Sequence, residues 1–112
     1  MTLVELRYIV ALARERHFGR AAEACFVSQP TLSVAVKKLE DELGVALFER
    51  AKTEVAVTPV GERVVEQARR VLDELEGVKR IAQQAQDLFF NATATTEIYT
   101  IGPYLFPRLV PL

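Results

Sequence analysis

Between positions 29 and 37 the chain places Gln29, Pro30, Ser33, Val34 and Lys37 at helical spacing on one side. Together they offer an amide that both donates and accepts, a hydroxyl, apolar surface and a cation. The major groove of duplex DNA calls for that mixture. Base edges take short donors and acceptors, a thymine methyl takes an apolar group, and phosphates take cations. The opposite side carries Leu32, Ala35, Val36, Leu39 and Leu43, a stripe suited to burial. Ser28 is placed to cap the helix N-terminus. Pro30 falls in the first turn, where its missing N–H is harmless. Gly44 follows as a terminator. The plainer alternative is an ordinary helical hairpin with a solvated lysine face, and the periodicity alone does not separate the two.

The neighbouring segments are the ones that would position this face. Arg20 to Cys25 reads as a short supporting helix, with Ala21, Ala22 and Ala24 allowing a close crossing. Phe26-Val27 then carries the chain through a turn that their apolar groups are expected to pin. Two helices and a tight turn make a helix-turn-helix. Ahead of it, Thr2 and Glu5 form a capping box for a first helix running to about Arg16. Its face of Leu3, Leu6, Val10 and Ala13 packs behind the pair. Beyond Gly44, Leu47-Phe48 and Val55-x-Val57 read as two short strands joined by a polar turn. That hairpin is a wing, with Arg50 at its base and Lys52 at its tip. Otherwise it is a small hairpin whose charges only solvate it.

Thr58-Pro59 opens a last helix, threonine as N-cap and proline at the first position. Val60, Val64, Ala68, Val71, Leu75, Val78, Ala82 and Ala85 follow in steps of four and three. A helix over 59–87 is roughly 43 Å long, too long for residues 1–58 to cover. Its seam predicts a second copy of the chain as partner. Packing on the first helix alone would cover only its start. Gly61 and Gly77 each weaken the helix by about 1 kcal/mol relative to alanine. Residues 88–112 differ: Glu97 and Arg108 are their only charges, and Pro103, Pro107 and Pro111 break any long helix. The fold class is therefore mainly α: a winged helix-turn-helix over 1–58, a long dimerisation helix over 59–87, then a separate segment.

The 112 residues carry a net charge of −1, against the basic balance common in nucleic-acid binders. The cations are nevertheless local: Arg14, Arg16 and Arg20 around the first helix boundary, Lys37 and Lys38 on the second helix, Arg50 and Lys52 beyond it. A single cysteine excludes an internal disulfide and suits a reducing cytosol. No stretch is long and apolar enough to span a bilayer, so a cytoplasmic protein is expected. His17 is the only histidine, and with Cys25 and scattered carboxylates it builds neither a metal centre nor a catalytic triad. His17 reads as a cap or packing group and Cys25 as a small buried hydrophobe. No cofactor, metal or enzymatic activity is expected.

The strings LRYIVALARERHFGRAAEACFVSQPTLSVAVKKLEDELGVALFER and VTPVGE resemble the N-terminal domain of LysR-type transcriptional regulators. The likeness covers residues 2 to about 87. RHFGRAAE, SQPTLS, KKLEDELGV and IYTIGPYL resemble the peroxide-sensing OxyR type within that family. Taken with the helix geometry, the resemblance implies that Gln29, Pro30, Ser33 and Val34 face base edges. Ser28, Thr31, Lys37, Arg20 and Arg50 would mainly hold phosphates, with Lys52 reaching DNA from the wing. Ala51 and Glu54 stand where the family often has glycine or more basic residues. The resemblance also implies a homodimer on double-stranded DNA, with tetramers requiring an effector-binding domain. Residues 88–112 would be the poorly ordered start of that domain, with NATATTE departing from the expected strand. Thr100 matches a threonine of the peroxide pocket, a latent role at most. The competing class is a protein-interaction module whose long helix mediates assembly and whose helix-turn-helix is vestigial.

Overall fold

The computed structural model describes the backbone of residues 1–95 and the side chains through residue 90. Along the chain come α1 (Leu3–Glu15), α2 (Phe18–Ala24), α3 (Gln29–Leu43), β1 (Phe48–Ala51), β2 (Glu54–Val57) and α4 (Pro59–Thr95). Two units are distinguished, Met1–Leu75 and the chain from Glu76. In the first, α1–α3, the hairpin and the start of α4 enclose a core whose fully buried side chains include Ile9, Leu12, Leu32, Leu39 and Leu47. Among the described residues of the second there is only the continuation of α4.

Local signals set the helix ends. Thr2 and Glu5 form the capping box at α1, and the helix closes on Arg16 in the left-handed conformation. His17 caps α2: its Nδ1 accepts the Arg20 N–H at 3.1 Å. Ser28 Oγ caps α3 by accepting the Thr31 N–H at 3.3 Å. Gly44, at φ 75°, ends α3 as a left-handed C-cap. Thr58 Oγ1 accepts the Gly61 N–H at 2.9 Å and starts α4.

The hairpin is antiparallel, with Phe48 opposite Val57 and Arg50 opposite Val55. Alternation puts Phe48, Arg50, Val55 and Val57 on one face, and Phe48 and Val55 are buried. So Arg50 belongs to the hairpin's inner face. Val55 N–H donates to the Arg16 carbonyl at 3.1 Å, tying β2 to the α1–α2 junction.

Four expectations are corrected. Phe26 does not pin the turn: it is 94% exposed, with φ 59°, and Val27 packs on the core instead. Ala24 is exposed, so the close crossing rests on Ala21 and Ala22, both buried. Ala68 is buried in the core beside Val65, with Val64 and Leu72 packed against them, so the start of the seam is covered by its own chain. Finally, α4 runs to Thr95 and not to residue 87. No glycine or proline lies between Asp87 and Thr95 to stop it, so NATAT continues the helix. Residues 96–112, including Thr100, lie outside the described residues, as does most of the segment expected to be poorly ordered.

Candidate nucleic-acid interface

Pro30 at the start of α3 and Ser28 before it fix where the helix begins, and thereby which side chains face outward. Leu32, Val36 and Leu39 turn into the core, while Ala35 and Leu43 are only partly buried. On the other side Gln29, Pro30, Val34 and Lys37 are exposed and Ser33 is half-buried. The predicted face is therefore brought together on one helix. Val34 is 68% exposed, an apolar surface left open among the described residues. Thr31 is also exposed, its hydroxyl 2.8 Å from that of Ser28.

An open cleft of about 290 Å³ separates this face from the wing; His17, Phe18, Gly19 and Gln29 line one side, and 50–55 the other. A Cβ at Gly19 would lie 2.9 Å from the His17 ring and 3.6 Å from Gln29 Oε1. Arg50 crosses toward α3: its guanidinium stacks 4.3 Å from the centre of the Phe18 ring, and Nη2 donates to Ser33 Oγ at 3.2 Å. Lys52 sits exposed in the two-residue turn.

The other cations are engaged within the chain. Lys37 Nζ pairs with Asp41 at 3.1 Å, both exposed. Arg20 donates to the Glu15 carbonyl at 3.2 Å and lies 3.8 Å from its carboxylate. Exposed pairs of this kind are weak, about 0–1 kcal/mol, and yield readily to a stronger anion.

Glu40 is a functional residue that the sequence did not single out. Its Oε2 accepts two backbone N–H groups, from Leu47 at 2.7 Å and Phe48 at 3.1 Å. A carboxylate of α3 thereby anchors the first strand of the wing. Its partners lie seven and eight residues on, past the end of α3 and across the loop, so no local signal reveals the contact. Thr58 Oγ1 completes the joint by donating to the Ala46 carbonyl at 2.7 Å or the Leu47 carbonyl at 3.2 Å. Gly61 packs so closely here that a Cβ would collide with the Leu47 carbonyl oxygen.

Cys25 is partly buried, and burial pushes its thiol above the ordinary value despite the opposing fields of Arg14 and Arg7. That favours the unreactive thiol form. Among the described residues no group of three or more potential ligands could hold a metal, and no helix is long and apolar enough to cross a membrane.

A recognition helix on a short support helix, flanked by a two-stranded hairpin, defines a winged helix-turn-helix. The chain belongs to the lysR family of bacterial regulatory helix-turn-helix proteins, which matches residues 3–62. That is a family of transcription regulators, not of enzymes. All 112 residues align with 37% of the hydrogen peroxide-inducible genes activator of Pectobacterium carotovorum subsp. carotovorum, at 48% identity. They align with the same share of the DNA-binding transcriptional dual regulator OxyR of Escherichia coli K12, at 47%. The chain thus spans a little over a third of these relatives. A full-length OxyR variant of Pseudomonas aeruginosa superposes with a TM-score of 0.72 and 67% identity, over 75% of this chain and 28% of that one. The BenM DNA-binding domain in complex with benA site 1 DNA gives a TM-score of 0.72 at 34% identity, over 77% of this chain and 97% of that one.

Proposed function

We propose that residues 1–58 bind duplex DNA sequence-specifically as the DNA-binding part of a bacterial transcription regulator, and that α4 joins two copies. The observation that carries this reading is the exposed face of Gln29, Pro30, Ser33 and Val34 beside the wing cations Arg50 and Lys52. It supplies base-edge donors, an apolar surface and cations on one side of a fold shared with a domain solved on DNA. In this reading Ser28, Thr31, Lys37 and Arg20 hold phosphates, which displace the weak pairs to Asp41 and Glu15.

The dimer rests on α4. Its 37 residues extend about 55 Å, and Val78, Ile81 and Leu88 are 65–70% exposed. Together with Ala82 they make an apolar surface suited to a second copy, and Val60, Val71 and Leu75 add apolar groups to the part of α4 that lies in the first unit. Two copies would bind two half-sites together. In this reading the regulator responds to hydrogen peroxide, as the names of several relatives suggest, and acts in the cytoplasm without catalysis of its own.

The test is selection of duplexes from a random pool, followed by titration of the enriched and a scrambled duplex at three salt concentrations. Enrichment of a two-fold symmetric site, with affinity falling steeply as salt rises, is the expected result. An interaction module with a vestigial helix-turn-helix would enrich nothing.

A further inference from the structure

Arg50, Phe18 and Ser33 come from three different elements, β1, α2 and α3. The hairpin register sets Arg50 on the inner face opposite Val55, so its side chain leaves toward the helices. Phe18 is partly buried against the core, which fixes its ring. The guanidinium lies 4.3 Å from the ring centre, within the roughly 6 Å range of cation–π attraction. From there Nη2 reaches Ser33 Oγ at 3.2 Å.

We propose that Phe18 is a positioning residue for duplex recognition: its ring holds Arg50 against Ser33, so that wing and recognition helix meet DNA as one prearranged surface. The proposal rests on the DNA reading above. An arginine left to itself loses rotamer freedom when it binds, and fixing it beforehand lowers that loss. The contact also sets the polarity of Ser33. A hydroxyl carries one donor and two acceptor sites. With an Arg50 N–H on one acceptor site, the Ser33 O–H is left to donate outward. Guanine O6 and N7, adenine N7 and thymine O4 accept such a bond in the major groove, and the cytosine amino group does not. Phe18 thereby acts on specificity without touching DNA.

The test titrates the full chain and its Phe18→Leu, Phe18→Tyr, Arg50→Ala and Phe18→Leu/Arg50→Ala variants against a selected duplex. In parallel, the Arg50 Nε–H resonance is recorded without DNA. Phe18→Leu keeps apolar bulk but removes the aromatic face. It is expected to weaken binding roughly two- to fivefold and to relieve the ring-current shift on Arg50. Phe18→Tyr should restore both. On the Arg50→Ala background Phe18→Leu should bring no further loss. Equal loss on both backgrounds would mean that Phe18 only supports the fold, and would overturn the proposal. So would wild-type affinity in Phe18→Leu. If that variant does not fold, Arg50→Lys decides, because it keeps the charge and loses the planar fork. Undiminished affinity there overturns the proposal as well. A wild-type chain that binds no duplex removes the DNA reading and this proposal together, whereas a binding wild type with an indifferent Phe18 removes only the proposal.

Discussion

Gln29 and Lys37 stand eight residues apart on the same exposed face of α3, and in the proposed function their chemistry gives them different work. An amide can pair both ways with an adenine edge, whereas an ammonium meets a phosphate that is alike in every sequence. Gln29→Ala is therefore expected to cost roughly 1–3 kcal/mol on the selected duplex and much less on a scrambled one. Lys37→Ala should weaken both alike and flatten the log–log salt slope by about one per subunit. Titrations of both variants on both duplexes check this, and equal losses for Gln29→Ala would assign readout to DNA shape or to the wing. Glu40 acts differently, through backbone it never leaves. Glu40→Ala strips the acceptor from the Leu47 and Phe48 amides, at a cost of about 1.5–3 kcal/mol for charge-assisted bonds. Chemical unfolding should register that loss, with Glu40→Gln in between because its amide oxygen still accepts. An unchanged midpoint in Glu40→Ala would show the wing to be anchored elsewhere.

The two glycines of α4 look alike in sequence and are opposite in structure. Among the described residues Gly77 has only Arg80 near its would-be Cβ, at 3.5 Å, whereas Gly61 abuts the Leu47 carbonyl. Gly77→Ala should therefore stabilise the helix by up to about 1 kcal/mol, and Gly61→Ala should destabilise the fold despite the same gain in propensity. Thermal unfolding of the two variants should move in opposite directions. A rise in both would mean that Leu47 can give way. Elements such as α1 and α3 were legible in the sequence because their signals are local: a cap, a period of 3.6 and a left-handed terminator lie within a few residues of what they govern. The face of Gln29, Pro30, Ser33 and Val34 was legible for the same reason. Ala68 was misplaced onto the seam because a four-three repeat does not say which of two neighbouring stripes, Val64–Val71 or Val65–Leu72, its own domain will cover. The Arg50–Phe18 stack spans 32 positions (Phe18 to Arg50), and Glu40 reaches across the α3–β1 loop. No periodic pattern carries either.

At the scale of the whole molecule, the proposed association of two copies, in a chain of net charge −1, rests on apolar surface. Val78 and Ile81, 65% and 70% exposed, are the places to test it, because neither belongs to the core of the described residues. Val71 is only 37% exposed and Leu75 is half-buried, so charges there would also strain the first unit. Val78→Glu with Ile81→Glu should sediment as a single chain, unfold within about 0.5 kcal/mol of the parent and bind DNA more weakly once half-sites are no longer held together. A persisting dimer would place the interface elsewhere. The joint at Leu47 has a kinetic consequence of its own. Its N–H is held by Glu40 of α3 and its carbonyl by the Thr58 N–H at 3.0 Å, with the residue fully buried. The Leu47 amide proton therefore cannot trade with solvent while Glu40 is in place and the residue stays buried. Its deuterium uptake should be as slow as that of Leu12 or Leu39 in the core, hours behind the exposed turn at Lys52-Thr53, so that one loop amide between two elements reports the opening of the whole unit.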